Sequence, residues 1–131
     1  KKTASLFSAS AKIGAMLSGA GDRDVAILDS YGKHLGLGYQ VLDDLEEFLG
    51  LEQGKSSKKS SVTLPLIYSS LHQHEVAAQM CIRVIDEHRR SAKDALRNSS
   101  GLEPELRRLE SIVDEMTSRG LERCRSPKSL C

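Results

Sequence analysis

Gly36-Leu37-Gly38-Tyr39-Gln40-Val41-Leu42-Asp43-Asp44-Leu45-Glu46-Glu47 carries two patterns at once. Leu35, Leu42, Leu45 and Leu49 recur at steps of seven, three and four residues, the period of an α-helix with one apolar stripe. At about 100° per residue, Gln40, Asp43, Asp44 and Glu47 fall within about one third of the circumference on the other side. The stripe runs back through Tyr39 and Tyr31 to Leu28, which predicts one helix about 35 Å long ending at Gly50. Gly32, Gly36 and Gly38 inside it each cost about 1 kcal/mol relative to Ala. Three such residues imply close approach by a neighbouring segment or a ligand. Gly36 sits one turn before Gln40 on the same face, and that space is expected to serve a ligand.

Helical periods continue on both sides. Leu6, Ala9, Ile13, Met16/Leu17 and Ala20 read as the buried stripe of a first helix, closed by Gly19 and Gly21, with Asp22 or Asp24 capping the next. Residues 50–61 form a Gly/Ser/Lys loop holding Lys55, Lys58 and Lys59. Helicity resumes at Leu64-Pro65-Leu66-Ile67-Tyr68 behind Thr63 as a cap. A further helix begins near Glu75 and turns Ala78, Cys81/Ile82, Ile85, His88, Ala92 and Ala95/Leu96 inward. Asn98-Ser99-Ser100-Gly101 is a turn, and a last helix carries Leu102, Leu106, Leu109, Val113 and Met116. It is expected to fray after Gly120 into a polar tail over 120–131. No β-type alternation and no internal repeat is present, so the fold class is all-α, an antiparallel helical bundle.

Composition narrows the function classes. The chain has 131 residues, 39% hydrophobic and 28% charged, enough to bury a core as one domain. Nineteen Lys+Arg against eighteen Asp+Glu leave a net charge of +1, so no overall field draws the protein to nucleic acid or anionic lipid. Aromatics are 4% with no Trp, which leaves few platforms for base stacking. No apolar run approaches the about 18 residues of a transmembrane span. Cys81, Cys124 and Cys131 lack metal-ligand spacing and are odd in number, which favours a reducing compartment and a cytoplasmic location. The opening Lys1-Lys2-Thr3-Ala4, with neither initiator Met nor signal peptide, reads as the inside of a helix, so one piece of a larger enzyme is expected.

Three carboxylates within about one turn repel one another by a few tenths of a kcal/mol per pair. A solvated acidic surface is the ordinary reason for such a cluster. A hard divalent cation is the functional one, since carboxylate oxygens suit Mg²⁺ and leave its remaining positions to water and phosphate. The lysine-rich loop beside the acids favours Mg²⁺-diphosphate, with acids on the metal and lysines on phosphate oxygens. The histidines suggest no second centre: His34, His72, His74 and His88 do not cluster at metal spacing. His72 and His74 straddle a turn facing solvent, and His88 reads as a hydrogen-bonded core or boundary residue. Tyr39 and Phe48 read as core packing. Arg107, Arg108, Arg119, Arg123 and Arg125 read as a solvated face or a surface meeting another chain.

Gly38-Tyr39-Gln40-Val41-Leu42-Asp43-Asp44-Leu45-Glu46-Glu47 resembles the second aspartate-rich motif of the trans-type polyprenyl (isoprenyl) diphosphate synthases. Lys2-Thr3-Ala4-Ser5-Leu6-Phe7 followed by Gly14-Ala15 resembles that family's Lys-Thr-Ala helix start. Gly54-Lys55 resembles the lysine after the motif, and Thr63-Leu64-Pro65-Leu66-Ile67 the Thr-Leu-Pro block that reopens the helix. Four blocks in the family's order cover nearly the whole chain. The resemblance implies the C-terminal part of an isoprenoid-synthase-type bundle that condenses an allylic diphosphate with isopentenyl diphosphate, using Mg²⁺. It further implies Asp43, Asp44 and Glu47 on the metal, Lys2, Lys55 and Lys59 on diphosphate, and Thr3 and Gln40 beside the reacting carbon and phosphate. A homodimer, a heterodimer or association with a missing N-terminal half is also implied.

The sequence departs from that pattern in places. The third acid is Glu47 where the family has Asp, and the loop from Lys55 to Thr63 is short and lacks the usual acid. The family's lysine before Thr-Leu-Pro falls on Ser61, so that Lys59 or Lys58 takes its place or the contact is absent. The first aspartate-rich motif is not in this chain. A non-catalytic helical subunit or scaffold of a prenyl diphosphate synthase is therefore the alternative. A squalene-type head-to-head synthase is disfavoured by the Lys-Thr-Ala and Thr-Leu-Pro blocks.

Overall fold

The computed structural model describes residues 2–50, 62–99 and 103–125, the side chains of residues 2, 103 and 104 excepted. It contains five helices: α1 Lys2–Leu17, α2 Asp22–Phe48, α3 Leu64–Leu71, α4 His74–Arg97 and α5 Glu103–Arg125. No strand occurs among the described residues, and the chain is all-α as the periodicity predicts.

Helix α2 is the axis. It antiparallels α1, since Gly36 abuts Ala4 and Gly32 abuts Phe7. It antiparallels α4, with Gly38 against His88. It runs parallel to α5, with Tyr31 beside Leu109 and Glu46 beside Arg123. The core has two parts. Around the C-terminal half of α2, Leu42 and Leu45 pack with Cys81, Ile85, Leu121 and Cys124. Around its N-terminal half, Tyr31 and Leu35 pack with Ala92, Leu96 and Val113. Leu64 and Tyr68 bring α3 onto the first cluster. Ion pairs from Asp114 to Arg89 (2.9 Å) and Lys93 (2.8 Å), and from Arg125 to Asp86 (3.1 Å), tie α5 to α4.

Three expectations are corrected. Large apolar residues of α1 face outward: Leu6 is 65% exposed, Ile13 54% and Leu17 84%. The packed face is instead Ala4, Phe7, Ser8, Ala11 and Ala15. The physical reason is backbone proximity, since a Cβ on Gly32 would lie 2.5 Å from the Phe7 carbonyl oxygen and one on Gly36 would lie 2.5 Å from the Ala4 Cα. Only small residues fit so tight a seam, and it places the bulky ones elsewhere. The cap of α2 is Gly21, not an aspartate; Asp22 and Asp24 occupy the first turn, where carboxylates complement the helix dipole. Asp24 also accepts a hydrogen bond from the Ser99 hydroxyl at 3.1 Å. Finally, α5 does not fray at Gly120. It continues to Arg125 and buries Leu121 and Cys124, leaving residues 126–131 of the expected tail outside the described residues.

Two placements match expectation. Gly19 adopts φ 80°, the left-handed conformation that ends α1. Thr63 stands at the N-terminus of α3 with Pro65 in the first turn.

Candidate functional site

The acidic face lies on the last three turns of α2. Asp43, Asp44 and Glu47 are all half-buried, as is Gln40. The Gln40 Nε2 donates to Asp44 Oδ1 at 3.1 Å, an i,i+4 contact that orients one carboxylate. Asp43 and Glu47 are likewise one turn apart. Asp44 lies close enough to Cys81 that its charge, after burial, contributes to pushing that thiol up to about 11. Among the described residues no group of three His, Cys, Asp or Glu is already gathered into a metal-binding cluster. The donor set nevertheless fits Mg²⁺, which takes one or two protein carboxylates and fills its shell with water and phosphate.

The seam between α1 and α2 lies just before this face along α2. Because the helices run antiparallel and Ala4 abuts Gly36, half-buried Thr3 in the first turn of α1 arrives one α2 turn from Gln40. Phe7 stacks on Tyr39 with centroids 5.9 Å apart, fixing the helices' rotation just before Gln40. The expectation that Gly36 keeps space for a ligand is corrected: the α1 backbone fills that space. Glycine there lets the first turn of α1 pack directly on α2.

On the far side of the same turn, Glu46 pairs with Arg123 at 2.7 Å, and a Cβ on Gly120 would lie 2.5 Å from Glu46 Oε1. Helix α5 thus fixes the side of α2 opposite the acids. The Cys124 thiol, buried beside this turn, is pushed up to about 12 and Cys81 to about 11, chiefly by burial. Both are packing residues rather than nucleophiles at neutral pH. An open depression of about 450 Å³ lined by Arg107, Arg108, Ser111, Ile112 and Glu115 lies on α5 and shares no residue with the acidic face.

Of the residues expected at the site, Gln40, Asp43, Asp44 and Glu47 share one half-buried face of the C-terminal half of α2, and half-buried Thr3 stands in α1 next to the Ala4 that abuts Gly36. The Lys2 backbone is in the first turn of α1, its side chain outside the described set; Lys55, Lys58 and Lys59 also lie outside the described residues. Sequence reasoning missed the Glu46–Arg123 pair, which has no local signal. It also missed the α1 seam, which does have one: Ala4, Ser8, Ala11 and Ala15 step at three and four residues opposite Gly32 and Gly36.

The sequence model of the polyprenyl synthetase family matches residues 1–99 and so spans Lys2, Thr3, the acidic face and the loop that follows it. The chain belongs to this family. Among curated family members, it is 43% identical over 96 residues to a geranylfarnesyl diphosphate synthase of Methanosarcina mazei, covering 73% of this chain and 32% of that protein. A geranylgeranyl diphosphate synthase of the same organism is 41% identical over 73 residues, covering 51% and 22%. Octaprenyl diphosphate synthase of Escherichia coli is 33% identical over 92 residues, covering 66% and 28%. The chain therefore spans about a third or less of the length of these relatives. No solved structure matches it. Among the described residues, no helix is long and apolar enough to cross a membrane.

Proposed function

We propose that this family member forms the diphosphate-binding side of a Mg²⁺-dependent prenyltransferase that joins an allylic diphosphate to isopentenyl diphosphate. What supports the proposal is the half-buried face of α2 that carries Gln40, Asp43, Asp44 and Glu47, with Gln40 donating to Asp44, in a chain of the polyprenyl synthetase family.

In this reading Asp43, Asp44 and Glu47 hold Mg²⁺, which when bound supplies positive charge opposite the departing diphosphate. Lys2 and Lys55, with Lys59 or Lys58, bind the diphosphate oxygens. Thr3 orients the allylic diphosphate, and Gln40 keeps Asp44 turned toward its oxygens. The allylic C–O bond breaks as pyrophosphate leaves, the double bond of isopentenyl diphosphate attacks the allylic carbon, and a proton is lost from the product. Chemistry of this kind needs water excluded from the reacting carbon. The exposed apolar stripe of α1, with Leu6, Ile13, Met16 and Leu17, supports a covering element in the remaining two thirds of the relatives' length.

Asp43→Asn in the complete enzyme tests the site. We expect turnover at saturating Mg²⁺ to fall about 100-fold or more while the helical circular dichroism and melting profile are kept. Equal turnover of parent and variant would overturn the catalytic reading and favour the scaffold alternative.

A further inference from the structure

His34 on α2 and His88 on α4 are separated by 54 positions in sequence, yet their Nδ1 atoms lie 3.3 Å apart. The ring centroids are 5.6 Å apart. The difference between those distances is two ring radii, so both nitrogens lie on the line joining the ring centres and point at each other. One Nδ1 therefore carries a hydrogen and the other accepts it, which gives the two neutral rings opposite tautomers. Gly38, one turn beyond His34 on the same face, makes the approach possible: a Cβ there would sit 3.1 Å from the His88 Cβ. Both rings are half-buried.

We propose that His34 and His88 form an acid-sensitive latch between α2 and α4, closed by the single hydrogen they share and parted when both rings are protonated. The neutral pair keeps that hydrogen bond, and one proton added at the donor ring's Nε2 leaves it in place and charge-assisted. A second proton has to enter on the accepting Nδ1. Two N–H bonds of about 1 Å would then face each other along the 3.3 Å line, with their hydrogens about 1.3 Å apart between two like charges. The rings must part, which opens the α2–α4 contact at Gly38, two residues before Gln40. Acid thereby loosens the helix that carries Asp43, Asp44 and Glu47. Around the pair, α4 supplies exposed Glu87 and also Arg89, whose guanidinium bonds Asp86 and Asp114. Helix α2 supplies exposed Lys33 and buried Tyr31, whose hydroxyl donates to Leu109. The packed face of α1 and the whole of α3 carry no charged residue, and α5 directs Asp114 to Arg89 and Lys93 and Arg125 to Asp86. Burial first, then the nearby His34, holds the His88 imidazole below its ordinary 6.5, and Glu87 offsets part of that. A folded value below the unfolded one contributes stability above about pH 6.5 and loses it as pH falls through the folded value, so the latch opens on the acid side.

Equilibrium urea unfolding of the purified protein from about pH 7.5 to about pH 5 tests the latch. Parent protein should take up about one more proton on unfolding than His34→Gln or His88→Gln, so its folding equilibrium constant should fall about tenfold or more beyond theirs across that range. Exposed His72 and His74 are common to parent and variants and cancel in the comparison. Long-range ¹H–¹⁵N spectra of parent protein at about pH 7 should show one Nδ1 of the pair protonated and the other bare, and the two rings should titrate in steps more than about one pH unit apart. That readout does not depend on how the variants fold. Both rings titrating together with His72 and His74, or the same pH dependence of stability in parent and folded variants, would overturn the latch. None of these readouts involves turnover or Mg²⁺ binding, so the prenyltransferase reading stands or falls separately.

Discussion

Replacing Gly36 by Ala separates the packing of α1 from the chemistry it serves. The added Cβ would stand 2.5 Å from the Ala4 Cα and 3.2 Å from its nitrogen, both backbone atoms that no side-chain rotation can clear. Carbon atoms rest at about 3.5–4.0 Å, so the first turn of α1 must retreat by about 1 Å. Two terms oppose each other in stability. Alanine gains about 1 kcal/mol of helix propensity over glycine. Overpacking costs about 1–3 kcal/mol. The net effect is a loss of about 0–2 kcal/mol, readable by urea denaturation. Turnover should suffer far more, because a 1 Å misplacement of positioning groups costs about 100-fold. Gly14→Ala provides the calibration, since a Cβ there meets nothing within 4 Å, and it should stabilise by about 1 kcal/mol. If Gly36→Ala stabilises as much as Gly14→Ala, the helices do not touch where the structure places them. If it is destabilised but turns over like the parent, the first turn of α1 has no part in the chemistry.

Tyr31→Phe removes the hydroxyl that donates to the Leu109 carbonyl at 2.7 Å from a nearly buried ring, and should cost about 1–2 kcal/mol by the same denaturation assay; an unchanged midpoint would remove that tie between α2 and α5. Asp114 is held below the ordinary carboxylate value of 3.8, first by the Lys93 hydrogen bond, with Arg89 also contributing. A depressed folded pKa stabilises above the unfolded value and loses that contribution as pH falls through the folded one, so parent protein should exceed Asp114→Asn in melting temperature near pH 6 and converge with it below pH 3.8. Asp114 is half-exposed, so the margin should also shrink in about 1 M salt. Lys55→Ala should raise the allylic diphosphate KM about tenfold or more if Lys55 binds phosphate oxygens; unchanged KM and kcat would remove it from the site.

The apolar period of α2 and α4 was legible because both helices present one wide stripe to two cores, and Leu42, Leu45, Ile85 and Leu96 are fully buried as that stripe requires. The acidic face was legible for the complementary reason: side chains three and four residues apart on one helix must share a side. The first helix misled because hydrophobicity alone ranks Leu6, Ile13 and Leu17 above Ala4 and Ala15. What decides the contact is how closely two backbones approach, and that depends on Gly32 and Gly36 some thirty residues away. The glycines signalled a near neighbour without saying which, and the neighbour proved to be protein. The pairs Glu46–Arg123 and His34–His88 are joined by tertiary packing across 77 and 54 positions, and no local period carries them.

Helix α5 begins after the family match ends at residue 99, yet Val113 belongs to one core and Leu121 and Cys124 to the other. Sequence similarity and mechanical integrity thus stop at different residues. Cutting the chain at the edge of similarity would strip a wall from both clusters, leave Leu42 facing water and release Glu46 from its guanidinium. A region outside the family match is here the brace on which the matched region leans.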